Sequence, residues 1–517
     1  MAYTVVTNTG AISTAYSHQR AIVRDSTGRL WTVYHRNVSG LGGNIFVAYS
    51  DNDGATWTEE AVTNISGDQY GASIAIDSSG YVHVAWAGTG WGTYTARYSI
   101  QYRKRTSSWQ TQEAVTNIDS NQSPPSIAVD SFGYVHVAWH GQGWGVNTGA
   151  QNIQYRKRTS SWQAQESVTD SASSQGFVPI AIDSSNYVHV AWYGQGWGTN
   201  TGRNNIQYRK RTSSWQAQES VTDISSHQYL ACIDVDSSNY VHVAWYGQGW
   251  GDYTAVDQIQ YRKRTSSWQT QEAVTNINAT QLNPSVVVDS SNYVHVAWYG
   301  QGWGTNTGRN NIQYRKRTSS WQTQVGITDE ANEQYYPSLC PDLSADNYAL
   351  VWTGYTGTQY NVYFEGELTT TIDGAVDFTG AGDIEATGLI IVIGEANFTG
   401  AGDLSAKGIV ATPISYELVF GPTTLGLNSK EKRARKVTLI FSMAADSTMY
   451  ISYATTKDGA YSDEVEITAG TALTRAKKAL PLVAGNSAGG YIYRVKVRGR
   501  GVVKVHEVVF HVSPRRA

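Results

Sequence analysis

A loop with residues suited to carbohydrate binding recurs along the chain, and each copy carries one tryptophan between glycines. In the copy spanning residues 193–205, amides and an arginine accompany this tryptophan. Apolar sugar faces stack on aromatic rings, while planar amide and guanidinium groups hydrogen-bond to pairs of hydroxyls. The residue types therefore predict a carbohydrate site. The candidate ligand-binding residues are Trp91, Trp144, Trp197, Trp250, Trp303, Gln142, Gln195, Gln248, Gln301, Asn200, Arg203, Asn306 and Arg309.

The five tryptophan loops could act together if they share one face of the fold. Weak sites arrayed on one face gain avidity for a polymer, commonly about 10² to 10⁴-fold. The alternative is that these tryptophans pack one repeat against the next and that the glycines only make room for the packing. Identity between the copies is also explained by recent duplication, so the sequence leaves both interpretations open.

Two further sets of polar residues recur once per repeat. The histidines lie within a strand and too far apart to share a metal ion, so we expect them to form hydrogen bonds in the core. We predict no metal site and no cofactor. For the Arg-Lys-Arg triplets, a solvated, partly salt-bridged edge is favoured over a site for an acidic polymer. The histidines are His83, His136, His189, His242 and His295, and the triplets begin at Arg103, Arg156, Arg209, Arg262 and Arg315.

The overall charge and the termini narrow the classes of partner. A formal net charge of -3 and a pI of about 6.4 provide no field that would recruit nucleic acid or an anionic membrane. The first residues lack the basic and apolar regions of an export signal, and the longest aliphatic stretch, residues 389–393, is too short to cross a bilayer. Cys232 and Cys340 fall in different repeats, so we expect two buried thiols and no disulfide.

These residues are positioned by a repeat of about 53 residues. An aspartate that closes an apolar strand recurs at intervals of 52 and then 53 residues, which gives seven units. Each unit shows four segments with period-two alternation, separated by turn residues, and four strands per unit of this length are typical of a β-propeller blade. We therefore predict an all-β fold with a seven-bladed propeller. The aspartates are Asp25, Asp77, Asp130, Asp183, Asp236, Asp289 and Asp342.

The third unit shows the expected strands most clearly, at residues 126–130, 134–139, 152–158 and 165–169. The seventh unit ends after its third strand, at residues 361–367. An orphan strand at residues 3–7 resembles the fourth strands of the other units. We predict that this amino-terminal strand completes blade 7 and closes the ring without an exposed sheet edge.

One turn carries a recognisable motif. Residues 50–57, Ser-Asp-Asn-Asp-Gly-Ala-Thr-Trp, resemble the Asp-box (BNR motif) of sialidase-like propellers, with Asn52 where the family has aspartate. Thr-Ser-Ser-Trp occupies the same turn in five other units. In that family the box marks the fold and not the catalytic site. The resemblance is thus to a sialidase-like, lectin-like seven-bladed propeller.

Sialidases, as the resemblance implies, also need three arginines around a carboxylate, a tyrosine nucleophile paired with a glutamate, and an acidic acid/base residue. Arg24 could be the first arginine. The first strands of units two to seven carry isoleucine, valine or proline at the matching position, so this set is incomplete. We therefore assign no catalytic residue and expect that the protein is not an enzyme.

The chain beyond the propeller, which spans residues 1–370, divides into two segments. Residues 371–412 contain a Gly-rich repeat in which Phe378 and Phe398 are 20 residues apart, and it resembles repeats of bacteriophage tail and fibre proteins. Residues 413–517 alternate in a way that predicts a β-sandwich. This segment resembles the terminal sandwiches of virion-associated proteins, and the resemblance implies a role in docking or oligomerisation.

Together these features suggest a non-catalytic phage tail or fibre protein that binds a surface glycan of the host through the propeller. It would be made in the bacterial cytoplasm and carried on the virion; secretion is the alternative. Expected partners are a cell-surface glycan or polysaccharide and other virion proteins, with homo-oligomerisation left open and no nucleic acid or membrane. The competing hypotheses are a structural or decoration protein without a glycan ligand and a sialidase-like glycosidase.

Overall fold

The computed structural model describes residues 3–9, 14, 19–341 and 348–366, and the backbone of the strands between Ile372 and Pro514. Every regular element in these parts of the chain is a β-strand. The chain forms two compact units, Met1–Gly366 and Glu367–Ala517. The predicted three-part division at 370 and 412 stays a prediction.

The first unit is the seven-bladed β-propeller that the repeat predicts. Each blade is an antiparallel sheet, the strands of blades 1 to 6 follow sequence order, and in blade 4 the first strand is split in two. Blades 1 to 3 comprise β2 (Ile22–Arg24), β3 (Leu30–Val38), β4 (Gly42–Ser50), β5 (Thr58–Ala61); β6 (Gln69–Ile76), β7 (Val82–Gly88), β8 (Ser99–Arg105), β9 (Glu113–Ala114); and β10 (Ser126–Val129), β11 (Val135–Gly141), β12 (Asn152–Arg158), β13 (Glu166–Ser167).

The remaining blades repeat the arrangement, and the strands predicted for the third unit agree with β10 to β13 within a few residues. Blades 4 to 6 comprise β14 (Gln175–Gly176), β15 (Ile180–Ile182), β16 (Val188–Gly194), β17 (Asn205–Arg211), β18 (Glu219–Ser220); β19 (Gln228–Val235), β20 (Val241–Gly247), β21 (Gln258–Arg264), β22 (Glu272–Ala273); and β23 (Gln281–Val288), β24 (Val294–Gly300), β25 (Asn311–Arg317), β26 (Val325–Gly326).

Blade 7 closes the ring with strands from both ends of the propeller. It contains β27 (Gln334–Pro341), β28 (Tyr348–Tyr355) and β29 (Tyr360–Gly366), and its outer strand is β1 (Tyr3–Thr9). β1 runs antiparallel to β29, with Tyr3 opposite Phe364 and Thr9 opposite Tyr360. The amino-terminal strand therefore occupies the place where an unpaired sheet edge would otherwise remain.

Blades 2 to 7 are each held together by a buried tryptophan toward the end of the second strand. The indole Nε1 of Trp245 donates a hydrogen bond to Gln228 Oε1 at 2.8 Å, which ties the second strand to the first. Both side chains are fully buried, so the bond satisfies two polar groups that have no access to water. The same bond recurs at the tryptophans of blades 2, 3, 4, 6 and 7.

The repeated aspartates of blades 1 to 6 cap the turn between the first and second strands, and Asp342 lies outside the described residues. Asp130 Oδ1 accepts the backbone N–H groups of Phe132 and Tyr134 at 3.0 and 2.9 Å. Its other oxygen, Oδ2, lies 3.0 Å from His136 Nε2, and His136 Nδ1 lies 2.7 Å from the Tyr155 hydroxyl. The histidines thus form hydrogen bonds in the core, as predicted.

The basic triplets connect neighbouring blades. Arg264 in blade 5 forms a two-pronged ion pair with Glu219 in blade 4, both contacts at 2.8 Å, and the first arginine of the triplet, Arg262, donates to the carbonyl of Val221 at 2.5 Å. Trp268, from the Thr-Ser-Ser-Trp turn, packs edge-on against Tyr208 of blade 4, with ring centroids 5.3 Å apart. The edge is salt-bridged, as expected, and these pairs join one blade to the next.

In the second unit the 20-residue repeat pairs with itself. Strands β31 and β34 run parallel with Phe378 opposite Phe398. The predicted β-sandwich stays a prediction. The strands are β30 (Ile372–Asp373), β31 (Val376–Ala381), β32 (Ile384–Ile390), β33 (Val392–Ile393), β34 (Ala396–Ala401), β35 (Leu404–Ala411), β36 (Tyr416–Phe420), β37 (Lys432–Met443), β38 (Ser447–Ala454), β39 (Val465–Ala469), β40 (Leu473–Leu480), β41 (Arg494–Arg500) and β42 (Val503–Pro514).

Candidate functional site

One face of the propeller carries both sets of loops that the sequence singles out. In blade 5, Gln228 at the start of β19 is opposite Gly247 at the end of β20, and Gly247 is opposite Gln258 at the start of β21. The chain therefore enters the first strand and passes from the second to the third strand at the same end of the blade. We call this end the loop face.

The tryptophan loops project exposed indoles from the loop face. The exposed fractions are 38% for Trp144, 44% for Trp197, 37% for Trp250 and 37% for Trp303, and Trp91 is half-buried. A Cβ added to Gly326, in the outermost strand of blade 6, would lie 2.9 Å from Trp303 Nε1. That indole rests on the outer strand of its own blade, so it lies toward the circumference of the face.

Glycines and a capping aspartate fix the shape of each tryptophan loop. Gly196 and Gly198, on either side of Trp197, have φ values of +83° and +75°, which side chains other than glycine rarely adopt. Asp223 accepts the backbone N–H groups of Thr199 and Asn200 at 2.7 and 2.9 Å. These backbone hydrogen bonds lower the pKa of Asp223 to about 2, so the cap stays ionised at neutral pH.

The predicted amide and arginine side chains also form contacts within the loop face. Asn200 Nδ2 donates to the carbonyl of Asp223 at 3.1 Å, and Asn306 Nδ2 does the same to Asp329 at 2.9 Å, so a ligand would meet the amide oxygen of each. Arg309 pairs with Glu333 at 3.3 Å. Arg203 Nη1 lies 3.1 Å from His227 Nε2. Their assignment to ligand binding stays a prediction.

The four predicted glutamines follow the second strand directly, and their backbone carbonyls have a structural role. The carbonyl of Gln248 accepts a hydrogen bond from Gln228 Nε2 at 2.8 Å, and the carbonyls of Gln142, Gln195 and Gln301 do the same in their blades. Gln142 is exposed and donates from its side chain to the carbonyl of Gly149 at 2.9 Å. The other three are half-buried.

A group of aromatic residues that are not among the candidates predicted from the sequence lies on the inner side of the loop face. We call it the tyrosine cluster. Tyr193 and Tyr229 have ring centroids 5.3 Å apart, and Tyr229 and Tyr246 are 5.7 Å apart. Two more contacts continue the cluster in blades 6 and 7, at 5.2 and 5.7 Å. Its members are Tyr193, Tyr229, Tyr246, Tyr299, Tyr335 and Tyr336.

The first strands next to the tyrosine cluster are bulged and contain strained residues. In blade 5 the pairing of β19 with β20 is interrupted after Tyr229, and Leu230 has a φ of +42°. The equivalent residues in blades 4 and 7, Phe177 and Tyr336, have φ values of +54° and +53°. Bulges and positive φ at bulky residues are costly and concentrate at functional sites, where they redirect side chains.

The first strands of all seven blades surround a central cavity of about 260 Å³. Its lining includes Cys232 and Ser338, a few residues beyond Tyr229 and Tyr336 on the same strands, so the tyrosine cluster lies at its loop-face end. Arg20 and Asp234, from blades 1 and 5, approach to 3.5 Å within this lining.

The arginine set of sialidases is not formed on the first strands. Arg24 is only 7% exposed and lies at the opposite end of its strand from the loop face, where it pairs with Asp53 at 2.7 Å. The matching residues of the other blades are Ile76, Val129, Ile182, Val235, Val288 and Pro341. A sialidase-like activity is therefore not favoured by this geometry.

The expectation of two buried thiols agrees with the described structure. Cys232 and Cys340 are both buried free thiols. Among the described residues, no group of three or more histidine, cysteine or acidic side chains could hold a metal ion. Within the same residues, no helix has the length and apolar character needed to span a membrane.

Comparison with known proteins identifies solved structures that are similar to this chain. No protein-family model matches the chain, and no curated protein matches its sequence. A polysaccharide lyase of family PL25, an ulvan lyase bound to -[GlcA(1-4)Rha3S]-, is similar over 70% of this chain and 94% of its own, with 9% identity and a TM-score of 0.50. A Hadza microbial sialidase matches over 71% and 68%, with 12% identity and a TM-score of 0.39. An α-L-arabinofuranosidase from Fusarium graminearum matches over 61% and 97%, with 12% identity and a TM-score of 0.39.

These neighbours contradict the expectation that the protein is not an enzyme. That expectation came from the incomplete arginine set, which bears on one catalytic arrangement, whereas a fold accommodates many. The similar ulvan lyase is named as an enzyme that acts on a polysaccharide. At such low identity the likeness shows the fold, and no catalytic residue is transferred. The chain has a seven-bladed β-propeller fold, and the PL25 ulvan lyase is similar to it in structure.

Proposed function

We propose that the protein binds a cell-surface polysaccharide through the tryptophan loops of its propeller. The observation that carries the proposal is the repetition of an exposed indole in a loop of fixed shape, at the same place in successive blades. An indole exposed by 37–44% leaves a large apolar area in water, and stacking against a sugar ring removes part of it.

The arrangement supports binding of a polymer better than binding of a single sugar. Each tryptophan loop offers one ring and few uncommitted polar groups, so one contact would be weak. Loops on neighbouring blades can engage successive units of one chain, and the gain in avidity is about 10² to 10⁴-fold when the spacing fits. The fixed loop shape lowers the entropic cost of each contact.

The virion role predicted from the sequence remains part of this proposal. A tail or fibre protein that attaches to host glycans would use such a face, and the second unit, with its phage-like repeat, would connect the propeller to other virion proteins. A decoration protein without a glycan ligand is the competing function. It differs in one measurable respect, because it would show no retention on any polysaccharide.

The test is retention of the full chain on immobilised bacterial polysaccharides, compared with a W197A/W303A double variant. We expect the double variant to lose at least tenfold in apparent affinity, because two of the four exposed rings are removed. A matched control is F132A, since Phe132 is 71% exposed but lies in the turn at the opposite end of its blade. Equal retention of wild type and double variant would refute the proposal.

The same samples test for catalysis. Release of new reducing ends or unsaturated products from the retained polysaccharide would show that the protein also cleaves its ligand. Comparing product release with retention in the double variant separates a binding face from a catalytic site elsewhere in the propeller.

A further inference from the structure

We propose that the tyrosine cluster is a separate, single-copy binding site for a neutral sugar. The proposal rests on the proposed function in that both sites recognise carbohydrate. It differs in place, because the cluster lies at the loop-face end of the central cavity and the tryptophan loops lie toward the circumference. It differs also in number, because the cluster occurs once.

The cluster extends over four consecutive blades in two groups of contacting rings. From Tyr229 the aromatic contacts extend to Tyr193 in blade 4 and to Tyr246 in the same blade. Tyr299 in blade 6 contacts both Tyr335 and Tyr336 in blade 7. The blades of the two groups follow each other around the ring, so both groups lie on the same side of the cavity.

Four members of the cluster have hydroxyl groups that are available to a ligand. Among the described residues, none forms a hydrogen bond with the hydroxyls of Tyr193, Tyr229, Tyr246 or Tyr299. Tyr299 is 7% exposed, and the other three are half-buried. None of these four hydroxyl oxygens is fully buried, so a ligand can reach them. A sugar would supply both the hydroxyls for these bonds and an apolar face for the rings.

The cluster is built from positions at which the repeats differ. The residue after the second-strand tryptophan is tyrosine in blades 4, 5 and 6, but Ala87 in blade 2, His140 in blade 3 and Thr353 in blade 7. Most of the second and third strands is identical in blades 2 to 6. Because the tyrosines occupy one side of the ring, they form one site and not a set of equivalent sites.

The charge at the cluster favours a neutral ligand. Asp257 is half-buried beside Tyr246, and Glu333 lies beside Tyr335, where its charge acts on the hydroxyl. Carboxylates accept hydrogen bonds from sugar hydroxyls and repel the carboxylate of a uronate or sialate. Arg309 is already paired with Glu333. Arg203, which is exposed and next to His227, makes an acidic sugar the natural competitor to test.

The test uses the full chain with glucose, galactose, mannose and N-acetylglucosamine, and with glucuronic acid and N-acetylneuraminic acid as acidic probes. Calorimetric titration and native mass spectrometry give affinity and stoichiometry. We expect one neutral sugar to bind with one site per chain, and the acidic sugars to bind at least tenfold more weakly. Binding of none of the neutral sugars, or tighter binding of an acidic one, would overturn the proposal.

Two variants locate the site. Y246F removes only a hydroxyl, and D257N removes only a charge, and we expect each to weaken neutral-sugar binding by about 3- to 10-fold, as for one hydrogen bond. Y240F, at the opposite face, is the matched control, because Tyr240 is 37% exposed and outside the cluster. Unchanged affinity in both Y246F and D257N would place the sugar elsewhere.

The outcomes for the two proposals are separable. Polysaccharide retention that W197A/W303A abolishes and Y246F and D257N leave intact, with no single-sugar site, refutes the tyrosine cluster and keeps the proposed function. The other outcome is single-sugar binding that depends on Tyr246, together with polymer retention that does not depend on the tryptophan loops. This outcome refutes the proposed function and keeps the tyrosine cluster as a sugar site.

Discussion

Replacing the buried histidine of one blade tests how the repeated core is stabilised. His242 Nδ1 lies 2.6 Å from the Tyr261 hydroxyl, and Nε2 lies 3.0 Å from Asp236 Oδ2. Because the carboxylate accepts, Nε2 carries the proton and Nδ1 accepts from the tyrosine. All three side chains are at most 1% exposed. H242A therefore leaves the Tyr261 hydroxyl without its partner in a site that water does not reach.

The expected loss of stability follows from counting the groups left without partners. The Tyr261 hydroxyl loses its bond completely, whereas Asp236 keeps Lys263 at 3.3 Å and two backbone N–H groups. One orphaned buried group costs about 1–3 kcal/mol, and the space left by the ring adds to it. We expect H242A to lower the free energy of unfolding by about 3 kcal/mol at pH 7.5.

The same variant should respond less to acid than wild type. Burial lowers the pKa of His242 below its usual 6.5, so the unfolded chain binds a proton more readily than the folded one. The stabilisation that this gives is complete above pH 6.5 and is lost as the pH falls. Between pH 7.5 and 5, one such histidine accounts for up to about 2 kcal/mol. The difference between wild type and H242A should therefore shrink by up to that amount at pH 5.

Urea unfolding followed by tryptophan fluorescence measures this in the full chain, because all 18 tryptophans lie within residues 1–366. Y261F, which removes only the hydroxyl, should lower the free energy of unfolding by less than H242A does. H136A, the equivalent variant in blade 3, should lower it by the same amount as H242A. A loss below 1 kcal/mol, or an identical loss at pH 5 and 7.5, would refute the reasoning.

Two other predictions concern contacts that recur or are buried. R264A should lower the free energy of unfolding by about 1 kcal/mol, because the partly exposed ion pair of Arg264 with Glu219 joins blades 4 and 5. The loss is measured by urea unfolding, and a loss that does not change with salt concentration would contradict an ionic contribution. Cys232 and Cys340 should not react with a thiol reagent in the native protein, because both side chains are buried and burial raises the pKa of the Cys232 thiol. Both should react in urea, and rapid labelling of the native protein would contradict this prediction.

The fold was predictable because its information is local and repeated. Asp130, His136 and their copies recur at a fixed period, and strand alternation between them defines four strands per unit. The closing strand was predictable for the same reason, since blade 7 lacks a fourth segment and residues 3–7 have no other partner. Period and alternation do not depend on distant contacts, so one sequence was sufficient.

The candidate site was predictable only in part, because closure of the ring brings distant residues together. Tyr246 and Tyr336 are 90 positions apart and in blades that are not neighbours. A signal existed, namely the tyrosines after the tryptophans of blades 4, 5 and 6, but its meaning depends on which side chains converge. Likewise, the capping contact of Asn200 with Asp223 depends on the folded loop, so the sequence offered Asn200 only as a ligand residue.

The relation between repetition and hydrogen bonding separates structural from functional residues in this chain. Trp245, Gln228 and His242 recur from blade to blade with the same partners, so packing alone accounts for their repetition. The loop tryptophans of blades 3 to 6 recur although 37–44% of each side chain is exposed, and burial alone does not explain why each copy keeps the ring. The tyrosine cluster is the converse case, because it is not repeated and the hydroxyls of Tyr193, Tyr229, Tyr246 and Tyr299 form no hydrogen bond within the described part of the chain. The exposed tryptophans and the tyrosine cluster both lie on the loop face, and we therefore propose that carbohydrate binds there and not at the arginine-rich edge.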